Sequence, residues 1–299
     1  MAIYSIRDLE KLTGIKAHTI RIWEQRYNLI TPARTETNIR YYTDENLRLL
    51  FNIALLNRNG IKISKVAKMK PAEIAAKGAS LTQNSATNNS QIEALTLSMI
   101  DMDESAFENV FSTYLKNHGF EATMVELIYP FLDKLRVLWL TGSINPAQEK
   151  FIGQLIRRKL IGIIDRLPPF VSKNGSQRVL LYSPEGESQE LALLFMQYLI
   201  RMRDIQAIYL GSNVNLHDLG DACNALKPNY VLTIIQDPIP RQPIQGYIDH
   251  AAECIANGQL LLTGAQLFVS PVKLPANAKI LNGLAETLQF LDALQIKQK

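Results

Sequence analysis

The hydrophobic and polar positions divide the 299-residue chain into three segments with different periodicities. In residues 1–76, short apolar stripes at helical spacing alternate with turn residues. Residues 91–167 keep a helical period throughout, whereas residues 177–299 alternate short apolar strands with helices. Between the first two segments, residues 77–90 are polar and poor in bulky side chains, which is typical of a flexible linker. The pattern predicts a multidomain protein with α and α/β parts, whose first domain moves independently of the rest.

Two short helices joined by a tight turn are predicted at the start of the chain. Ser5 and Asp8 have the spacing of a capping box, which begins the first helix. Gly14 permits the positive φ that a tight turn often needs. A second helix follows from about residue 17 to 28. Together they form a helix-turn-helix, a motif whose second helix enters the major groove of DNA.

A basic β-hairpin, or wing, is predicted after the second helix. Pro32 ends the helical structure, and Arg34, Arg40 and Tyr41 flank a polar turn at 35–38. Arginines on a wing can reach phosphates or the minor groove, and tyrosine hydroxyls can donate to phosphate. A third helix to about residue 58 and a short fourth helix complete this winged helix-turn-helix domain.

The second segment predicts four antiparallel helices with short loops, which form a four-helix bundle. Asp103 is expected to cap the second of these helices, and the turn at 117–119 to end it. The expected helices span about 91–101, 104–116, 120–140 and 146–166.

The third segment predicts a doubly wound parallel sheet of the flavodoxin-like type, because short apolar strands alternate with helices. The expected strands are 178–183, 207–210, 230–235, 259–263 and 279–281. Ligands of such sheets bind beyond the carboxyl ends of the strands. Those ends correspond here to the loops at 183–188, 211–215, 235–239 and 264–270.

The positive charge of the chain is concentrated in its first segment. Residues 1–70 contain 13 Lys and Arg against 6 Asp and Glu, a balance of +7, whereas the whole chain carries +4 and the remainder therefore −3. This distribution favours DNA as a partner. Cys223 and Cys254 are expected to be reduced core thiols. No apolar run has the length of a membrane span and the N-terminus shows no signal peptide, so we expect a cytoplasmic location.

Over residues 2–70 the chain resembles the MerR family of transcriptional regulators. The resemblance rests on Tyr4-Ser5-Ile6, Thr13-Gly14-Ile15, Thr19-Ile20-Arg21, Trp23-Glu24, Arg26-Tyr27, Pro32, Arg34 and Arg40-Tyr41-Tyr42, in this order and spacing. It implies sequence-specific binding to promoter or operator DNA. The side chains expected to contact double-stranded DNA are those of Thr19, Arg21, Arg26, Tyr27, Arg34, Arg40 and Tyr41.

Over about residues 90–295, a bundle followed by this sheet resembles the cobalamin-binding effector module of light- and cobalamin-responsive regulators. Trp139 and Glu149 keep the family spacing of a bundle tryptophan that covers the corrin face. Gly186-Glu187, Thr233 and Thr263-Gly264 fall where the family places its sheet motifs. The resemblance implies cofactor contacts at Trp139, Glu149, Gln189, Thr233 and Gly264.

The chain departs from this family at the positions that carry cobalt chemistry. Gln189 replaces the histidine that coordinates cobalt, and Glu149-Lys150 replaces a Glu-His pair. Ala192 stands for a glycine, and Gly264-Ala265 for a glycine pair. An amide is a much poorer donor to cobalt than imidazole. The histidines of the chain match none of the family motifs and are expected to be structural or on the surface; they are His18, His118, His217 and His250.

The main interpretation is a DNA-binding transcriptional regulator whose degenerate cobalamin-binding-like module serves oligomerisation or another protein or small-molecule input. It implies no bound cofactor, no metal site and no catalytic residues. The alternative is a cobalamin sensor that binds the cofactor base-off or with Gln189 facing cobalt. A corrinoid enzyme is the third hypothesis, disfavoured by the DNA-binding domain and the missing histidine. A homo-oligomer is expected because a single small domain contacts only a short half-site.

Overall fold

The computed structural model divides into two compact units, Met1–Leu155 and Ile156–Lys299. The division falls within a helix, Pro146–Asp165, and the domain boundaries drawn from the sequence stay predictions. Within the described part of the chain, no helix is both long and apolar enough to cross a membrane. The structure describes residues 3–34, 38, 40–58, 60–84, 88–140, 144–171, 176–186, 190–236, 239, 243–255, 258–269 and 272–296.

The N-terminal domain has the predicted helix-turn-helix and wing. Helices α1 (Ile6–Thr13) and α2 (Ala17–Tyr27) precede the antiparallel strands β2 (Ala33–Arg34) and β3 (Arg40–Thr43). Strand β1 (Ile3–Tyr4) was not predicted, since two residues carry no detectable period, and it pairs with the other side of β3. The three strands form a small sheet of order β1-β3-β2.

The local signals at the ends of α1 are confirmed. The Ser5 amide donates to Asp8 Oδ2 at 2.8 Å, and the Asp8 amide donates to Ser5 Oγ at 3.3 Å, which completes a capping box. Gly14 ends the helix with φ 71°, a left-handed conformation that glycine adopts without a steric penalty. The turn between α1 and α2 is therefore encoded within a few residues.

The predicted linker at 77–90 is wrong over most of its length. Helix α5 (Pro71–Asn84) and helix α6 (Asn88–Ile100) occupy the polar stretch, and residues 85–87 lie outside the described part. The stretch contains no proline, and alanine, leucine and glutamine favour helix. Helix α5 packs against α3 (Asp44–Arg58). These tertiary contacts stabilise α5, although its apolar pattern is too weak to predict a helix.

The structure also shows contacts between the N-terminal domain and the bundle, whereas the sequence predicts a first domain that moves independently of the rest. Within the first compact unit, α3 packs against both α5 and α6. Arg48 of α3 forms an ion pair with Asp101 at the end of α6, with Nε and Oδ1 2.6 Å apart. Lys134 lies 5.3 Å from the ring centre of Phe51, also on α3. The N-terminal domain is thus in contact with the bundle through α3.

The bundle helices agree with the prediction to within a few residues. After α4 (Ile63–Val66), α5 and α6 come α7 (Glu104–His118), α8 (Phe120–Ala122), α9 (Tyr129–Leu140) and α10 (Pro146–Asp165). Asp103 Oδ1 accepts the Ala106 amide at 3.0 Å, as expected of a cap. A π-helical turn at Thr123–Ile128 joins α8 and α9, and was not predicted. Thr123 Oγ1 donates to the Gly119 carbonyl at 2.6 Å there, an interaction that bends helices.

The C-terminal sheet is parallel and five-stranded, which confirms the doubly wound fold. Its strands are β4 (Arg178–Pro184), β5 (Gln206–Val214), β6 (Tyr230–Ile234), β7 (Gln259–Thr263) and β8 (Ala278–Ile280), in the order β5-β4-β6-β7-β8. The order reverses between β4 and β6, so the ligand crevice of this fold class lies at their carboxyl ends. The helices are α11 (Glu190–Met202), α12 (Leu216–Leu226), α13 (Ile244–Glu253), α14 (Gln266–Val269) and α15 (Gly283–Ile296).

One face of this sheet packs against α12 and α13. Tyr182 of β4 and Tyr247 of α13 are buried in that core, and the Tyr247 hydroxyl donates to the Tyr182 hydroxyl at 2.8 Å. Burial raises the pKa of both tyrosines, so both stay protonated at neutral pH. Cys223 lies in the same core as a free thiol, and burial raises its pKa to about 11.

Candidate nucleic-acid interface and effector module

Helix α2 has one buried and one exposed face. Ile20 and Trp23 are buried in the N-terminal domain, at 0% and 7% exposed. Arg21 and Arg26 are exposed on the other side, together with His18, Ile22 and Gln25. An amphipathic helix whose outer face is polar and basic can lie in the major groove with its inner face still packed.

A carboxylate of α1 fixes the start of α2. Glu10 accepts the Ala17 amide at 3.1 Å and the Lys16 Nζ at 3.1 Å. These two donors, the amide foremost, lower the pKa of Glu10. Because Lys16 has no capping side chain of its own, Glu10 takes the place of an N-cap residue for α2.

A second carboxylate joins α2 to the wing. The Tyr42 hydroxyl of β3 donates a hydrogen bond to Glu24 of α2. Tyr42 is buried, and burial together with the acceptor carboxylate raises its pKa. The Trp23-Glu24 pair of the sequence pattern therefore has a structural role: one side chain packs inward and the other holds the wing strand.

The wing presents two arginines on neighbouring strands. Arg34 and Arg40 are cross-strand partners and both are exposed. Arg34 Nη1 donates to Asn38 Oδ1 at 2.7 Å, which orients the guanidinium beside the turn. Tyr41 is half-buried beside them. At the end of α2, the Arg26 guanidinium lies 5.6 Å from the ring centre of Tyr27.

The structure places the seven predicted DNA-contacting residues on two neighbouring parts of one domain. Four are on α2 and three are on the wing. Arg21, Arg26, Arg34 and Arg40 are exposed, whereas Thr19, Tyr27 and Tyr41 are half-buried.

Comparison with known families agrees with this geometry. Residues 4–73 match the family model described as MerR HTH family regulatory protein, and residues 91–161 match the model described as B12 binding domain. The chain combines a MerR-type HTH domain with a B12 binding domain, as a transcriptional regulator. The first resemblance drawn from the sequence is confirmed over residues 4–73, and the second over residues 91–161.

Curated relatives of the regulator are also transcriptional regulators, which confirms the prediction that the chain is not an enzyme. It is 29% identical over 235 residues to the HTH-type transcriptional repressor CarH of Myxococcus xanthus, covering 76% of this chain and 77% of that protein. It is 24% identical over 243 residues to the repressor CarA of the same organism, covering 79% and 78%. Its match to the regulator MlrA of Escherichia coli (strain K12) is 35% identical over 66 residues, 22% of this chain and 27% of that protein.

A solved structure shares much of the fold of the regulator. The Methanosarcina barkeri monomethylamine corrinoid protein matches with a TM-score of 0.53 and 12% identity. The match covers 70% of this chain and all of that protein. It supports the architecture of helices and parallel sheet.

Two predicted cofactor-contacting residues belong to the bundle. Trp139 lies in α9, and its side chain is outside the described part of the structure. Glu149 lies half-buried in the first turn of α10. That turn is well defined, because Asn145 and Gln148 exchange hydrogen bonds through their side chains at 3.0 and 2.9 Å.

The other predicted contacts belong to the sheet. Gln189 falls among residues 187–189, outside the described part. Thr233 is buried in β6, and its Oγ1 has no hydrogen-bond partner; the same is true of Ser183 Oγ in β4. In the described residues, no group of three or more His, Cys, Asp and Glu side chains could hold a metal ion.

Gly264 is required by the fold itself. Its φ is 124°, and a Cβ at this position would lie 2.2 Å from the Ile235 carbonyl oxygen. The loop after β7 therefore approaches the end of β6 more closely than any side chain permits. Gln236 adds to this contact, since its Oε1 accepts the Ala265 amide at 3.2 Å.

Sequence reasoning missed a polar cluster at the start of α11. Glu190, the first residue of α11, accepts from Arg157 Nε at 2.7 Å and from the Tyr209 hydroxyl at 3.1 Å. The Arg157 guanidinium is the main cause that lowers the pKa of Glu190. Within the second compact unit, the cluster joins α10, α11 and β5. Arg157 and Tyr209 lie 33 and 19 residues from Glu190 in the sequence, so no local sequence pattern predicts these contacts.

Proposed function

We propose that the regulator binds promoter DNA by placing the exposed face of α2 in the major groove and the wing against the backbone. The observation that carries this is the exposed basic surface formed by α2 and the wing of one domain. Arg21, Arg26, Arg34 and Arg40 would contact bases or phosphates, and Thr19, Tyr27 and Tyr41 would donate to phosphate. Lysine and arginine contacts of this kind release counterions, which makes affinity depend on salt.

Fluorescence anisotropy with duplexes selected by the full chain from a random DNA pool tests this proposal. The dissociation constant should rise steeply between 50 and 200 mM salt. Arg26→Ala, Arg34→Ala and Arg40→Ala should each weaken binding and reduce the slope of log affinity against log salt by about one per lost phosphate contact. Lys116→Ala, an exposed lysine of α7, is the matched control and should leave both unchanged. Equal effects of the control and the arginine variants would contradict the assignment.

For the effector module, we propose oligomerisation or another ligand as the input, without histidine-ligated cobalamin. Supporting this, the residues at the ends of β4, β6 and β7 are Glu185, Gly186, Gln236 and Gly264-Ala265, which supply no imidazole. Amide and carboxylate groups are poor substitutes for imidazole as ligands of cobalt. His217 follows β5 but is exposed, with its Nε2 3.9 Å from Asp221. The described residues at these strand ends do not fit a cobalt-ligating role.

An absorbance spectrum tests the cofactor proposal directly. The purified full chain is incubated with adenosylcobalamin, methylcobalamin or hydroxocobalamin in the dark and then desalted. We expect no corrin absorbance to remain with the protein, and no change of DNA affinity when each cobalamin is added. Retained corrin, or an altered affinity, would contradict the proposal and favour the alternative.

That alternative, a cobalamin sensor lacking the usual ligand, is favoured by one observation. Ser183 Oγ and Thr233 Oγ1 are buried near the carboxyl ends of adjacent strands and lack partners. Buried hydroxyls in native proteins are nearly always satisfied, by protein, water or a ligand. Retained corrin whose binding weakens in Thr233→Val and Ser183→Ala would assign these hydroxyls to the cofactor. Corrin bound equally by both variants would reject that assignment.

A further inference from the structure

A large apolar side chain stands in the middle of the exposed face of α2. Ile22 is 48% exposed, whereas Ile20 and Trp23 of the same helix are buried. Residues three and four positions away share its face. Those residues are Thr19, His18, Gln25 and Arg26, all polar.

Folding does not account for Ile22. The inner face of α2 already supplies the core contacts, and a β-branched residue at an exposed helical position is a weaker helix former than most polar alternatives. An apolar side chain left half in water gains free energy when a partner covers it. The partner must present an apolar group within a surface that otherwise suits polar and basic side chains.

DNA supplies one such group in its major groove. The 5-methyl group of thymine is the apolar feature of the base edges there, beside the hydrogen-bonding atoms of the other bases. On either side of Ile22, Arg21 suits the acceptor pair of guanine and Gln25 suits the acceptor and donor of adenine. This face of α2 therefore combines one apolar contact with two hydrogen-bonding contacts.

We propose that Ile22 contacts a thymine 5-methyl group and makes the regulator prefer thymine at one position of each half-site. The inference rests on the proposed placement of α2 in the major groove. It adds a specificity-determining residue to the seven contacts above.

Deoxyuridine tests this contact, because it differs from thymidine only by the missing methyl group. Each thymine of a selected duplex is replaced in turn, and affinity is measured for the full chain and for Ile22→Ala. At one position, deoxyuridine should weaken wild-type binding about three- to fivefold. Ile22→Ala should bind the thymine duplex more weakly and show no further loss with deoxyuridine, whereas Ile22→Val should retain part of the sensitivity.

Two controls separate this proposal from general effects. Arg26→Ala should bind more weakly but keep the sensitivity to deoxyuridine. Ile161→Ala, which alters an exposed isoleucine of α10, should change neither affinity nor sensitivity. If Ile22→Ala keeps the full deoxyuridine loss, or if no position is sensitive in the wild type, the inference is wrong while DNA binding stands. If the full chain selects no duplex at all, the proposed function fails with it.

Discussion

Glu10 shows how a single residue can orient helix α2. Its carboxylate joins α1 to the first turn of α2, and its pKa is lowered by the Ala17 amide and by Lys16. A carboxylate with a lowered folded-state pKa stabilises the fold above its ordinary value of 4.5, and this contribution is lost as pH falls through the lowered value. Glu10→Gln should therefore lower the thermal midpoint of the N-terminal domain at pH 7.

The pH dependence of the thermal midpoint tests whether the charge of Glu10 causes this effect. The difference in midpoint between wild type and Glu10→Gln, measured by circular dichroism of the full chain, should hold down to about pH 5. It should then shrink as Glu10 becomes protonated in the wild type. Glu45→Gln, which alters an exposed carboxylate of α3, is the matched comparison and should show a smaller difference at pH 7. A Glu10 difference that grows towards low pH would contradict the argument.

The tyrosine pair under the sheet permits a second test at the residue scale. Tyr247→Phe removes the donor of a buried hydrogen bond and leaves the Tyr182 hydroxyl without it. We expect a loss of about 1–2 kcal/mol in the free energy of unfolding, measured by urea denaturation. Tyr182→Phe/Tyr247→Phe should lose less than the sum of the two single changes, because neither of the two tyrosine hydroxyls is then left buried without the other. Strict additivity would mean that the two hydroxyls act separately.

The residues that the sequence could predict are those whose partners are near in the chain. Ser5 with Asp8 and Asp103 with Ala106 are three residues apart, so their capping patterns are visible in the sequence. Glu24 bonds Tyr42 across 18 residues. From the sequence alone, Glu24 cannot be distinguished from an ordinary charged residue on a helix surface, because its partner is distant in the chain.

At the scale of elements, helix α3 explains why the linker prediction failed. The stripe Leu47, Leu50, Phe51 and Ala54 predicts one buried face, but Ile53, Leu55 and Leu56 are buried as well. A helix with apolar residues on most of its circumference is enclosed by neighbours. Those neighbours include α5 and α6, which the polar stretch 77–90 helps to form. The apolar residues outside the stripe were the signal that sequence reasoning overlooked.

The contact between α3 and the bundle can be tested by charge reversal. Arg48→Glu places two negative side chains together at Asp101, so the segment around α5 should open more often. Trypsin cleavage after the exposed Lys77 should become faster, by at most about fivefold, since both side chains are more than one-third exposed. Arg48→Glu/Asp101→Arg restores opposite charges and should restore the slow cleavage. Failure of the double variant to recover would mean that the ion pair does not hold this contact.

For the whole molecule, the distribution of charge indicates that one part of the chain attracts DNA and that the rest is free for other interactions. The first 70 residues carry +7 and the remaining residues −3, so attraction to DNA is confined to the N-terminal domain. A single such domain covers only a short half-site. A second copy would therefore add affinity and specificity, and the remainder of the chain, with its net negative charge, could associate without competing for DNA.

We therefore predict that the regulator binds paired half-sites as a homo-oligomer. Light scattering of the full chain should give at least twice the mass of 33.7 kDa. On a selected duplex with two half-sites, inserting five base pairs between them should weaken binding at least about tenfold, because half a helical turn places them on opposite faces of the DNA. Inserting ten or eleven base pairs should recover more of the affinity than inserting five, because both half-sites return to one face. A monomeric mass, with affinity independent of spacing, would leave each N-terminal domain acting alone.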